Sequence, residues 1–175
     1  MKIICVTGTP GTGKTALSKK LAKKMNFYYL DVNKLISKYK LSEGYDKKRN
    51  AKIIDVTKLN GKLIKEIDLV EKYINRNNKK FKKTKGIIID SHLSHYLPRK
   101  HVNCCIITKC GIKELNRRLK NKKFHKSKIK ENLQAEIFDV CLNEARKRKQ
   151  KIITVDTTKG FNIEDLIKKV NKNVI

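Results

Sequence analysis

The chain has 175 residues, 44 of them Lys or Arg against 16 Asp or Glu, giving a net charge of +28. That length suits a single domain burying about 70% of its unfolded surface, and no run of eighteen apolar residues offers a membrane-spanning helix. Five cysteines without a C-x-x-C pair argue against a zinc site and fit reduced thiols in a cytoplasmic protein. A strand at the very start leaves no room for a signal peptide.

Residues 2–7 (Lys-Ile-Ile-Cys-Val-Thr) form a short apolar, β-branched run that reads as a buried parallel strand. Gly8-Thr9-Pro10-Gly11-Thr12-Gly13-Lys14-Thr15 follows and fits G-x-x-x-x-G-K-[ST] at every fixed position. Residues 16–25 repeat apolar side chains at helical spacing. Strand, glycine loop and helix together make a phosphate cradle. Backbone N–H groups and the helix N-terminus face a polyphosphate, Lys14 reaches its β- and γ-phosphates, and the Thr15 hydroxyl holds Mg²⁺.

Further along, Phe27 to Leu30 reads as a second strand ending at Asp31, with Tyr28 and Tyr29 in core and strand edge. Residues 32–39 follow as a short helix. Residues 41–50 read as a mobile polar loop and Ile53 to Val56 as an apolar patch. Residues 57–76 are helical in parts, with Asn60-Gly61 as a candidate interruption, and 75–85 form a basic surface loop. Gly86 to Asp90 and Asn103 to Thr108 are buried strands, and 111–120 is a helix. Ser127 caps a long helix with Ile129, Leu133, Ile137, Val140 and Cys141 on one stripe. Lys151 to Val155 is the last strand and 162–171 the last helix. Five apolar strands alternating with helices imply an α/β fold of P-loop NTPase type, a five-stranded parallel sheet with helices on both faces.

Asp90 ends an apolar strand, as a Walker B acid does, and points into the crevice where such sheets bind ligands; it is the candidate Mg²⁺ partner. His92 and His95, in the following turn, are candidates to orient water or phosphate. Asp31 ends the second strand at the same crevice. Arg49 and Arg99 are candidate clamps for a monophosphate, because guanidinium matches phosphate bidentately. The charge admits two readings: a field that attracts nucleic acid, or a solvated background set by composition. Lys79, Lys80, Lys82, Lys83 and Lys85 are its densest stretch.

These pieces, in this order, resemble the adenylate kinase isoform 6 (CINAP-type) family, archaeal members included. The stretches that carry the likeness are G-T-P-G-T-G-K-T at 8–15, E-G-Y-D at 43–46 and D-S-H-L-S-H-Y-L-P at 90–98. They continue with R-L at 118–119, K-I-K-E-N-L-Q-A-E-I-F-D-V at 128–140 and V-D-T-T at 155–158. The resemblance runs nearly end to end. It implies a single nucleoside-monophosphate-kinase-like domain over 1–175, with a monophosphate-binding flap near 31–55 and a short lid near 118–128. It implies phosphate transfer from ATP to AMP or another monophosphate with Mg²⁺, slow ATP hydrolysis, binding of ribosomal protein uS11, and a role in small-subunit maturation with a potential rRNA contact. By motif, Gly11, Gly13, Lys14, Thr15 and Ala16 bind ATP phosphates, and Asp90 and His92 match the family's D-x-H. The chain departs at the lid, where R-L-x-x-R-G-Y is replaced by Arg118-Leu119-Lys120-Asn121-Lys122-Lys123-Phe124. Lys122 thus stands for the lid arginine; it keeps the charge but not the planar fork. Two rivals remain: a ribosome-assembly ATPase with vestigial kinase activity, and another small kinase, for shikimate or a nucleoside, sharing the P-loop.

Overall fold

The computed structural model describes residues 1–46, 51–76 and 84–174. The expected residues Arg49, Lys79, Lys80, Lys82 and Lys83 lie outside these.

Strands β1 (Lys2–Thr7), β2 (Tyr28–Asp31), β5 (Gly86–Asp90), β6 (Cys104–Lys109) and β7 (Ile152–Asp156) form one parallel sheet in the order β2-β5-β1-β6-β7. Side chains alternate across it. In β1, Ile4 and Val6 join a core with helices α1 (Lys14–Met25) and α7 (Ile163–Val174), while Cys5 faces a second core. That second core takes in α2 (Val32–Lys38) and α3 (Val56–Arg76). Both faces of the sheet are therefore covered, which is why the strands read as continuous apolar runs rather than alternating ones. A smaller apolar cluster, built on Cys110, Leu115 and Leu119, joins α4 (Ile112–Asn121) to α5 (Lys126–Ile137).

Several local expectations give way to tertiary context. Residues 42–46 and 51–54 are not plain loop: β3 (Ser42–Asp46) and β4 (Ala51–Ile54) pair antiparallel, apart from the main sheet. The helix after β4 runs unbroken through Asn60-Gly61. A side chain at Gly61 would meet open space, and Asn60 donates to the Tyr96 carbonyl at 2.9 Å. Its regular turns extend to Arg76, beyond the expected start of the basic loop.

The long helix expected after Ser127 is two helices. It begins at Lys126, with His125 rather than Ser127 at the cap position. It stops at Phe138 because Asp139 adopts a left-handed φ of 51°, and α6 (Val140–Lys147) leaves in a new direction. The supposed stripe therefore divides: Ile129 and Leu133 pack inward, but Ile137 and Val140 stand 58% and 38% exposed. Tyr28 is exposed at the edge of the sheet. No helix among the described residues is long and apolar enough to cross a membrane.

Candidate phosphate and nucleotide site

The loop between β1 and α1 turns back on itself through Gly8, Gly11 and Gly13, all at positive φ. Gly8 and Gly11 tolerate no side chain. A Cβ at Gly8 would lie 2.4 Å from the Thr108 carbonyl, and one at Gly11 would lie 2.9 Å from both Leu115 and Leu119. Buried threonines tie the loop to the sheet. Thr12 donates to the Thr9 carbonyl at 2.8 Å and shares a 2.6 Å hydrogen bond with Thr108.

Lys14 opens α1, and its Nζ donates to the Thr9 carbonyl at 3.0 Å. Burial of the ammonium lowers its pKa to about 8; Asp90 and Glu136 oppose that fall and Lys122 adds to it. Gly11, Gly13, Lys14, Thr15 and Ala16 line a cavity of about 540 Å³, closed on the far side by Arg118, Asn121, Lys122, Thr157 and Phe161. All five loop residues expected to meet phosphate, and Lys122, thus share one wall system.

A second cavity of about 490 Å³ lies on the other side of the loop. It is lined by Pro10, Asn33, Ile36, Ile54, His92, Leu93, Phe124 and Lys128 among others. Its walls come from α2, the β3–β4 hairpin, the turn after β5 and the α4–α5 connection.

Asp90 is 4% exposed at the end of β5, and its Oδ2 accepts from the Tyr29 hydroxyl at 2.8 Å. Burial and this carboxylate both raise the tyrosine's pKa, keeping it protonated as a donor. Asp31 pairs with Asp90 across β2 and β5, but its carboxylate is occupied at the start of α2, accepting from the Asn33 N–H at 2.9 Å. His92 is an exposed residue in the wall of the second cavity, its ring partly desolvated by the protein atoms around it. That desolvation, and then the Lys14 ammonium, lower its pKa to about 4, so it is neutral at pH 7.

Two expected residues stand elsewhere. His95 is packed inside, its Nδ1 2.9 Å from Thr7 Oγ1 and its Nε2 2.9 Å from Glu144. It pins the end of β1 to α6 and does not face the crevice. Arg99 donates to the Val102 carbonyl at 2.6 Å, just before the start of β6. That is the end of the sheet opposite the P-loop, so the monophosphate-clamp expectation for Arg99 is corrected.

Sequence reasoning passed over Arg118 and Glu136. Arg118 donates to Glu114 at 2.8 Å and to the Thr157 carbonyl at 2.7 Å, which fixes its guanidinium in the wall of the first cavity. Its only signal was membership of the R-L pair. Glu136 is 5% exposed and accepts from Thr9 Oγ1 at 2.5 Å. Nothing in the spacing of α5 separates it from a surface acid.

The donor set suits Mg²⁺: one buried carboxylate and one hydroxyl at the mouth of a phosphate cradle leave room for substrate phosphates and retained waters. Among the described residues no group of three or more His, Cys, Asp or Glu forms an all-protein metal cage.

The sequence matches a family model described as AAA domain over residues 4–139. A Methanocaldococcus jannaschii protein named "Putative adenylate kinase" is 34% identical over 167 residues, 95% of this chain and 82% of that one. The Caenorhabditis elegans "Adenylate kinase isoenzyme 6 homolog" is 31% identical over 82% of this chain and 71% of that one. The chain belongs to the adenylate kinase isoenzyme 6 family.

Solved structures extend the fold likeness. Deoxyadenosine kinase from M. mycoides with bound dATP superposes with a TM-score of 0.53 at 16% identity, covering 98% of this chain and all of that one. A Chloroflexus aurantiacus protein described as a "putative kinase" gives 0.55 at 16% identity over 99% of this chain and 98% of that one. At these identities the likeness establishes the P-loop kinase fold, and the family rests on the closer relatives.

Proposed function

We propose that the protein transfers a phosphoryl group from ATP to a nucleoside monophosphate, AMP or a broader set, and hydrolyses ATP slowly when water takes the acceptor's place. The observation that carries this reading is the pair of similar cavities, about 540 and 490 Å³, on opposite sides of one phosphate-binding loop. A nucleoside-monophosphate kinase needs two nucleotides aimed at each other across a shared phosphate cradle; a simple ATPase needs one.

In this reading ATP occupies the cavity of Arg118, Thr157 and Phe161, and the monophosphate occupies that of Asn33, Ile36 and Ile54. Segments 31–55 and 118–128 act as flap and lid. Loop N–H groups, Lys14 and Lys122 neutralise charge on the transferring group, which is most of what phosphoryl transfer asks of a protein. Neutral His92 orients the acceptor or the attacking water at the mouth of the second cavity. Asp31 supports the same crevice through α2. Thr15 and Asp90 would hold Mg²⁺, which supplies charge neutralisation at the phosphates.

ADP formation from ATP, measured with and without AMP, tests the proposal. AMP-dependent ADP production lost in Lys14→Ala supports it; AMP-independent hydrolysis alone sinks the kinase half and leaves an ATPase.

A second reading adds a partner. Ile137, Phe138 and Val140 present apolar surface within four residues of chain, at 58%, 68% and 38% exposure, on a chain whose net charge is +28. Exposed apolar residues grouped this closely mark protein contacts. The family resemblance names uS11 and the small ribosomal subunit as the partners they would serve. Co-sedimentation with small-subunit precursors at physiological salt, for wild type and Phe138→Ser, tests this. Equal co-sedimentation of the two argues against the apolar surface, and none for either argues against the ribosomal role.

A further inference from the structure

The two oxygens of Glu136 are divided between two structures that catalysis must keep aligned. Oε2 accepts from Thr9 Oγ1 at 2.5 Å, inside the P-loop. Oε1 accepts from the Cys110 N–H at 2.9 Å, two residues before α4 begins, with Lys109 Nζ at 3.2 Å from the same oxygen. Glu136 itself stands in the last turn of α5, so this one carboxylate joins the start and the finish of the α4–α5 excursion. Lys109 reinforces the junction by donating to the Glu136 carbonyl at 3.1 Å and pairing with Asp139, the residue that breaks the helix. On the loop side, the backbone of Thr9 accepts from Lys14 Nζ at 3.0 Å. A continuous chain of contacts therefore runs from Lys14 through Thr9 and Glu136 to the base of the arm that carries Lys122.

We propose that Glu136 is a positioning residue that locks the base of the α4–α5 arm to the P-loop, holding Lys122 in register with Lys14. A buried carboxylate with three donors is costly to leave unsatisfied, so it persists only if its partners stay fixed together. The excursion between Cys110 and Glu136 carries side chains into both cavities: Arg118 and Lys122 into the first, Phe124 and Lys128 into the second. A small rotation at its base becomes a larger displacement at its tip, where sub-ångström placement decides turnover. This inference rests on the reading of the first cavity as the ATP site.

The test compares Thr9→Val, Thr9→Ser, Glu136→Gln and Glu136→Ala with wild type. Each is measured for kcat, for KM, and for the stoichiometry and affinity of a fluorescent ATP analogue. Glu136→Ala and Thr9→Val should lower kcat about tenfold or more while still binding one analogue per chain, which separates mispositioning from a partly unfolded sample. Thr9→Ser restores the hydroxyl donor and should recover most of the rate. Glu136→Gln should recover part of it, since its amide can accept from Cys110 N–H while donating to the Thr9 hydroxyl.

The decisive readout is coupling. Lys122→Ala should cost much less kcat in the Glu136→Ala background than in wild type, because an arm already out of register has little left to lose. Full additivity, or wild-type kinetics in Thr9→Val, overturns the proposal. If Glu136→Ala does not fold, Thr9→Val combined with Lys122→Ala gives the same coupling from the P-loop end alone. A wild-type chain that binds no analogue overturns the ATP-site reading itself, and this inference with it.

Discussion

The half-buried lysine of the P-loop should make nucleotide binding fall with rising pH well before ordinary lysines titrate. Burial brings the Lys14 pKa down to about 8, from 10.5 in an exposed lysine. ATP binding requires the ammonium, and bound phosphates hold the proton on it, so the free protein must regain that proton before it can bind. Between pH 7.5 and pH 9.5 the apparent affinity should therefore weaken about 25-fold, the ratio of the protonated fractions at the two pH values for a pKa near 8.

Few other groups at the site confuse the reading. His92, at about 4, is neutral throughout that range, and the Cys141 thiol is held up at about 11 by burial. ATP is fully ionised by pH 7.5, because a phosphate's second pKa is about 6. Unfolding does not mimic the effect through Lys14. Between about pH 8 and 10.5 the unfolded chain holds more protons at this residue than the folded one, so Lys14 adds stability as pH rises, opposite in sign to its effect on binding. The assay is titration with a fluorescent ATP analogue at constant ionic strength, with Lys14→Ala as the control whose weak residual binding should be flat. Wild-type affinity that holds steady to pH 9.5, or that breaks only near pH 10.5, refutes the reasoning.

Three further outcomes follow from the geometry. Asp90→Asn should keep the fold and the Tyr29 contact but lower Mg²⁺-dependent turnover by on the order of 10²-fold; unchanged rates across a Mg²⁺ titration would reduce Asp90 to a strand end. Lys122→Arg should raise phosphoryl transfer several-fold and Lys122→Ala should lower it, because the planar fork grips two oxygens at once; steady-state kinetics showing neither change would displace Lys122 from the lid. Gly86→Ala should destabilise without touching the site, since its Cβ would sit 2.4 Å from the Phe27 ring and 2.5 Å from the Lys2 carbonyl. Overpacking of that kind costs about 1–3 kcal/mol, seen as a fall in Tm of roughly 2–4 °C per kcal/mol, and an unchanged Tm would mean that β1 and β5 relax freely there.

The parts of the fold that could be read from sequence are those whose cause is local. A strand, a glycine loop and a helix in succession leave little freedom, so residues 2–25 were legible almost to the residue. The place of Asp90 was legible because the all-apolar strand closes on that acid. The β3–β4 hairpin was missed because both strands are short and β3 is polar, while the apolar residues of β4 read as an isolated patch with no alternation to mark a strand. The break at Asp139 was hidden because Val140 and Cys141 continue the helical stripe on paper, while a left-handed φ at an aspartate leaves no mark in the pattern. Arg99 misled for a related reason: its chemistry suits phosphate, but strand order decides which end of the sheet it occupies, and strand order is not a local property. Glu136 lay beyond reach on the same ground, since its partners stand 127 and 26 residues away in sequence.

Thr7, Asp31, Asp90, Lys109 and Asp156 close the five parallel strands, all at one rim of the sheet. The opposite rim, where Lys2, Tyr28, Gly86, Cys104 and Ile152 begin those strands, carries none of the residues assigned to phosphate. Durability and chemistry are thus zoned along a single axis about one strand long. A lineage can rework loops on the chemical rim and change its substrates without reopening the core. An experimenter can work from the other side, attaching a dye or an affinity handle near the surface turn at Lys100 and watching turnover from a vantage point that the reaction does not occupy.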